Sequence, residues 1–338
     1  MIPFFRKIRY RLAKDNQFLK YSRYAIGEII LVVIGILIAL QINNWNEKQK
    51  SQKRTNLLLE KTQKELLYNI ERCNLVIDFY RRKDSLLYNV LNQKVTYEDY
   101  KNGGKYMYLI TVYESANLVN EAFNILIEND TELLPKQESI ILNLKGLYGT
   151  EKNGVDEMDI KTASLVNNFL DKLKDEKNWY FRVDNNPPEE EVNYYLKDSF
   201  YLNEVSHFET YAFRNHLPNA TEFKRKATSI YEEISDYLDL KKDSSVVKNM
   251  NDYKHYLGVY EYDSLHNFQI IQENKTLKIN YSAKNETVIL DSSHIYPESK
   301  EYFMMESIYG QFIFDKNDEV IKMAFSNGSR RDTFKKID

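Results

Sequence analysis

The chain reads as an α+β protein: one transmembrane helix, an antiparallel helical body with a long stalk helix, and a small C-terminal antiparallel β-barrel. Three observations lead there. Ile29–Leu40 is an unbroken apolar run inside a segment, Tyr24–Ile42, whose one charge is Glu28. After it, apolar residues recur at helical spacing as far as about residue 240. Beyond residue 251 the period drops to two, in short runs separated by turn residues. The implied segments are a basic tail (1–23), a membrane helix (24–42), a stalk (43–95), a helical body (96–240), a linker (241–251) and a barrel module (252–338).

Tyr24–Ile42 is long enough, at about 1.5 Å per residue, to cross a hydrocarbon core about 30 Å thick. A cleaved signal peptide would show a small-x-small site after the apolar run; Asn43, Asn44, Trp45 and Asn46 stand there instead. The tail carries Arg6, Lys7, Arg9, Arg11, Lys14, Lys20 and Arg23, against Lys48, Lys50, Lys53, Arg54 and Lys61 on the far flank. A short basic tail stays in the cytoplasm while a long domain crosses largely regardless of its charge. That places the tail in the cytoplasm and the body outside. Tyr21, Tyr24 and Trp45 fit the interfacial aromatic belts. Phe4, Phe5, Ile8 and Leu12 alternate with basic residues, a pattern open to lying on the inner leaflet or to staying solvated. Gly27, Gly35 and Ala39 form a small-residue face that would let two such helices pack as a homodimer. Glu28 sits near the cytoplasmic end, within reach of headgroups or of Arg23.

The stretch KYSRYAIGEIILVVIGILIALQINNWNE, with MIPFFRKIRYRL before it, closely resembles the N-terminus of an uncharacterised family of single-pass membrane proteins abundant in Bacteroidota. The resemblance covers about the first fifty residues. It implies placement in a bacterial inner membrane, where outside is the periplasm, and brings no catalytic residue with it.

In the stalk, Leu59, Leu66, Cys73, Tyr80 and Leu87 recur every seven residues, and Gln63, Ile70, Ile77, Asp84 and Leu91 fill the alternate position. The heptads carry two polar defects, Gln63 and Asp84. A homodimeric coiled coil and packing inside the chain both satisfy this seam. Leu57, Leu58, Leu67, Val76 and Leu86 widen the stripe and favour the second. Further amphipathic helices are expected over Glu114–Ile127, from Pro135 to about Leu147, over Val155–Lys174, over Val192–Phe213, and from Pro218 through Leu238.

After the linker KKDSSVVKNMN, strands are expected at His255–Tyr262, Asn267–Gln272, Thr276–Tyr281, Thr287–Leu290, Tyr302–Met305, Gln311–Phe314, Val320–Phe325 and Arg331–Lys335. So many short strands in so few residues imply a small barrel or sandwich. Tyr256-Leu257-Gly258-Val259-Tyr260-Glu261, the L-x-I strand at Leu277–Ile279, Pro297 with Phe303, and the Phe314–Val320 hairpin look like the lipocalin-like tail of bacterial serine hydrolases of the β-lactamase class. In those proteins the tail is accessory, and the catalytic domain it follows has no counterpart here. The one Ser-x-x-Lys, Ser245–Lys248, falls in the linker and reads as coincidence.

Composition narrows the function classes. With 43% hydrophobic and 29% charged residues the chain is not disordered, and a net charge of −3 offers no overall field for nucleic acid. The 27 tyrosines against 10 Gly and 6 Pro favour long elements with aromatic cores. Cys73 is alone, so neither an internal disulfide nor a four-cysteine zinc site can form. His207, His216, His255, His266 and His294 show no ligand spacing, and the acidic stretch Asp184–Glu191 is interrupted by Pro187-Pro188. No residue stands out as catalytic or metal-ligating, and no cofactor is called for. The leading expectation is a membrane-anchored, envelope-facing binding or scaffold module for an unknown protein or small molecule, working in signalling or assembly. A membrane-anchored hydrolase with a site scattered through the sequence is the rival. A third reading is a structural oligomer on the stalk. Paired carboxylates or clustered histidines in a deep polar pocket would favour the enzyme; a barrel mouth lined by Tyr and Phe would favour binding.

Overall fold

A computed structural model describes residues 7, 10, 18–102, 104–129, 133–181, 186–273, 276–284, 289–305 and 308–337. The chain is α+β and divides into two compact units, Met1–Leu58 with Asn129–Leu134, and Leu59–Glu128 with Pro135–Asp338. One helix, α1 (Phe18–Leu91), contributes its first part to the first unit and its remainder to the second.

In the first unit, none of the most apolar stretch of α1 is buried, and this is the one helix among the described residues long and apolar enough to cross a membrane. Ile29, Leu31 and Ile36 are each more than half exposed. A contiguous apolar surface of this size is stable only against another apolar phase. Most of the basic tail, with Phe4, Phe5, Ile8 and Leu12, lies outside the described residues.

In the second unit the heptad positions Leu59, Leu66, Cys73, Tyr80 and Leu87 are all fully buried, covered by the chain's own helices. These are α2 (Tyr97–Asn102), α3 (Gly104–Met107), α4 (Glu121–Ile127), α5 (Pro135–Gly146), α6 (Lys152–Glu176), α7 (Glu189–Lys197), α8 (Ser199–Tyr211) and α9 (Leu217–Leu238). Tyrosine dominates the packing. Tyr148 stacks on Phe123 with centroids 4.5 Å apart, and Tyr201 meets Tyr195 edge-on at 4.9 Å and donates its hydroxyl to the Tyr106 carbonyl.

Three local expectations change. The helix foreseen from Glu114 begins only at Glu121, because side chains of other helices take up the backbone before it. Asp159 accepts the N–H groups of Ala116 and Asn117, Asn69 accepts that of Val119, and Asn117 sits at φ +50. The break foreseen after Leu147 is instead a π-helical turn, Leu147–Glu151, that joins α5 to α6; a second, Ala212–His216, joins α8 to α9 across Pro218. A π turn carries one extra residue through a helix without ending it. The single helix foreseen over Val192–Phe213 is two, divided at Asp198, whose carboxylate caps α8 by accepting from the Phe200 N–H.

The C-terminal strands are β1 (Gly258–Glu261), β2 (His266–Glu273), β3 (Thr276–Ala283), β4 (Ile289–Pro297), β5 (Tyr302–Met305), β6 (Ile308–Phe314), β7 (Val320–Ser326) and β8 (Arg331–Lys336). All are antiparallel to their neighbours, and β8 returns to β1 to close the barrel, which removes both sheet edges. Of the expected strand Thr287–Leu290, residues 287 and 288 lie outside the described residues. His255 falls instead in a 3-10 segment, Met250–Tyr256, that precedes β1.

The barrel packs on the helices through the β7–β8 hairpin. Ser326 donates to the buried Asp84 at 2.6 Å, and Ser329 donates to Glu209 of α8. Gly328 holds φ +87, and a Cβ there would lie 2.7 Å from Leu87, so the hairpin needs glycine on both counts. The two polar defects of the heptad are therefore contact points: Asp84 meets the barrel, and Gln63 donates to Ser235 of α9.

Candidate functional site

One end of the barrel is filled. Tyr253 and Tyr256 of the 3-10 segment are buried there, with the Tyr256 ring stacked 3.9 Å from Phe312. Tyr256 donates to the carbonyls of Ser299 and Lys300, and Tyr260 donates back to the Tyr256 carbonyl. Phe303 lies flat over Gly310, where any Cβ would stand 2.1 Å from the ring. Large rings pressed on a glycine fill the taper of a small barrel.

Among the described residues, the other end is open. Strand alternation turns Phe268 of β2, Tyr281 of β3, Phe325 of β7 and Phe334 of β8 inward, the register of the strands brings them to this end, and Tyr262 joins them from the β1–β2 turn. The five rings form one cluster. Phe325 lies 5.0 Å from Phe334 and 5.4 Å from Phe268, and Tyr262 lies 5.3 Å from Tyr281 and 5.7 Å from Phe334. Above them is a hollow of about 540 Å³, bounded also by Met305 and Ile308 and rimmed by Asp291, Asn327 and the ion pair Arg330–Asp332 at 2.8 Å. An apolar floor with a few polar groups at the rim is the ordinary form of a small-molecule site.

The β1–β2 turn is rigid. Asp263 accepts from the backbone N–H of Leu265 and of His266 and lies 3.0 Å from the His266 imidazole. The Leu265 N–H, and then His266, hold this carboxyl below the usual carboxylate range. The His266 ring in turn stacks on Tyr281 at 5.1 Å.

A second constellation is wholly internal. His216, in the second π turn, has Nδ1 2.7 Å from the Tyr80 hydroxyl and Nε2 2.9 Å from Asp159. Burial pushes the Tyr80 phenol up, with the Asp159 charge adding to it. His216 and Tyr80 are 0% exposed, so no substrate reaches them, and Asp159 already holds the 116–117 backbone. The set joins α1, α6 and the π turn as a buried polar brace.

The other sequence-level candidates stay apart. His255 meets the Lys300 carbonyl, His294 stacks on Tyr296 and His207 packs on Tyr211. Among the described residues no three His, Cys, Asp or Glu side chains come together as a metal site. In Ser245-x-x-Lys248 the serine hydroxyl goes to Asp243, while Lys248, among the described residues, reaches the Ser245 carbonyl at 3.3 Å and not the serine hydroxyl. Gly27 and Gly35 face open space on α1, with Ala39 exposed on the same helix; Tyr24 and Trp45 are exposed, and the Tyr21 side chain lies outside the described residues. The aromatic mouth was not singled out residue by residue from sequence. The available signal was an aromatic at alternate positions near one end of β2, β3, β7 and β8.

Residues 28–141 match the model of a family of unknown function, DUF6090. The matched part takes in the apolar stretch of α1, the heptads and the chain as far as α5, and it stops well short of the barrel. No curated protein matches the chain.

Proposed function

We propose that this protein is a membrane-anchored binding protein whose barrel mouth takes a small ligand with an apolar face for the rings and a polar edge for the rim. The carrying observation is the asymmetry of the barrel: one end packed solid, the other an aromatic-floored hollow of about 540 Å³ with a polar rim. The hollow is within the size range of small-molecule sites, roughly 300–1,000 Å³. Flat rings offer a large contact area at little entropic cost. The resemblance of this module to the lipocalin-like tail of serine hydrolases, an accessory domain in those proteins, is in keeping with a binding rather than a catalytic role. The apolar stretch of α1 is the anchor. By the distribution of Lys and Arg around it, the N-terminus faces the cytoplasm of a bacterial cell and the body faces the periplasm. With the heptad seam buried inside the chain, self-association falls to Gly27, Gly35 and Ala39.

The test is extraction. Full chain reconstituted in peptidiscs is washed, extracted with methanol, and its small molecules quantified by mass spectrometry beside those of Phe325→Glu. A charge among the rings should abolish apolar binding, so a species near stoichiometric in the native protein should vanish from the variant. Identical extracts with no enriched species would sink the proposal. A phosphatase fused after Asp338 tests orientation, since only an outward body gives activity.

A further inference from the structure

A second cleft, of about 620 Å³, lies away from the mouth, between α9, the segment from Lys242 to Asn251, and the ends of β2 to β4 around Gln272, Thr276 and Tyr296. Helical spacing puts Lys224, Arg225, Thr228, Ser229 and Glu232 along its helix wall. The segment opposite adds Lys242 and Lys248, and β4 leads into Glu298. Four cations therefore line the cleft with two carboxylates.

Three of the cations are already matched. Lys224 pairs with Glu298, both side chains largely buried; Arg225 holds Glu222 through two hydrogen bonds; Lys242 lies 2.7 Å from Asp236. Lys248 makes no ion pair among the described residues, and its one hydrogen bond is to the Ser245 carbonyl. Yet it is half-buried, and burial followed by the nearby Lys224 charge pushes its ammonium pKa down, against the smaller opposing pull of the Glu298 carboxylate, which is itself paired with Lys224. The cleft thus holds a partly desolvated positive charge that has no ion pair among the described residues, and the Thr228 and Ser229 side chains line the same cleft.

We propose that this cleft binds a phosphate group, with Lys248 supplying the open charge and Thr228 and Ser229 donating hydrogen bonds. A carboxylate ligand would be expected to use the planar fork of Arg225, but Glu222 occupies it. A lysine ammonium is a point charge with three donors and suits a tetrahedral, multiply charged oxyanion. The volume exceeds that of phosphate alone, and Val246, Leu277 and Pro297 give the remainder an apolar wall. The group is therefore a phosphate ester, either a free metabolite or a phospholipid headgroup.

The experiment is calorimetric titration of the full chain in maltoside micelles with inorganic phosphate, glycerol 3-phosphate and dihexanoyl phosphatidate, each against chloride at matched ionic strength. Binding beyond the chloride control is expected, weakened at least about fivefold in Lys248→Gln and kept within about twofold in Lys248→Arg. Tighter binding of the phosphatidate points to the headgroup, and tighter binding of glycerol 3-phosphate to the free ester; either supports the site. Heats that match chloride, or an affinity unchanged in Lys248→Gln, would overturn it. Inorganic phosphate and glycerol 3-phosphate carry no apolar chain for the mouth, and dependence on Lys248 assigns any phosphatidate heat to the cleft, so failure here leaves the proposal for the mouth standing.

Discussion

Glu65 caps a helix to which it does not belong. The helix α4 starts after Asn120, whose side chain offers no cap. The Glu65 carboxylate, reaching from α1, accepts from the backbone N–H of Ala122 at 2.7 Å and of Phe123 at 3.2 Å, and from the Tyr148 hydroxyl at 2.8 Å. These are two orphan donors of a helix N-terminus and one buried phenol. Hydrogen bonds to a charged acceptor contribute about 1.5–3 kcal/mol each, and they do not add fully. Glu65→Ala should therefore destabilise the second unit by roughly 3–5 kcal/mol, and Glu65→Gln, which turns one acceptor into a donor facing an N–H, by roughly 2–3 kcal/mol. Urea unfolding of the full chain in detergent, followed by far-UV circular dichroism, measures the loss. Hydrogen exchange locates it, because the Ala122 and Phe123 amides should lose protection in Glu65→Gln before the rest of the unit does. A loss below about 0.5 kcal/mol, or protection at those two amides unchanged, would refute the assignment.

Three other perturbations test separate parts of the structure. Burial lowers the Lys83 ammonium pKa to about 8 from the ordinary 10.5, so between those values the unfolded chain binds more protons than the folded one. Stability should rise by up to about 3 kcal/mol as pH climbs from 8 toward 10, and Lys83→Met should flatten that rise. Above pH 10 the trend should reverse, since buried phenols such as Tyr100, pushed up to about 12, then ionise only in the unfolded chain. Gly310→Ala should cost about 2–3 kcal/mol or more by driving a methyl into the Phe303 ring, and pairing it with Phe303→Leu should recover part of the loss in thermal unfolding. Ser326→Ala removes the hydroxyl from the buried Asp84, whose pKa burial raises; its cost, about 1–3 kcal/mol in urea titrations, should be larger at pH 7 than at pH 4, where the protonated acid needs the partner less.

Element types followed closely from local pattern. Every heptad position from Leu59 to Leu87 is buried, and seven of the expected strands have a counterpart in the barrel, while the strand expected at Thr287–Leu290 shares only its last two residues with β4, which runs on to Pro297. Errors clustered where a distant side chain outbid the local rule. Asp159 keeps residues 116–117 out of a helix from more than forty residues away, and two π turns carry helices through glycine- and proline-bearing stretches that read as breaks. The seam defects were visible as polar residues among apolar ones, but their partners Ser235 and Ser326 lie 172 and 242 positions along the chain. No local periodicity reaches that far.

The fold class, the apolar stretch of α1 and the buried heptads were all determined by residue type and spacing, because burial period and secondary structure are coupled residue by residue. Which end of the barrel is filled, and which five rings share the other, was decided only by tertiary structure. Closure of β8 on β1 and the register of each pair set which strand ends coincide. A side chain's neighbours across a closed sheet are a property of that register, and a single-residue slip would turn each ring of the mouth to the opposite face.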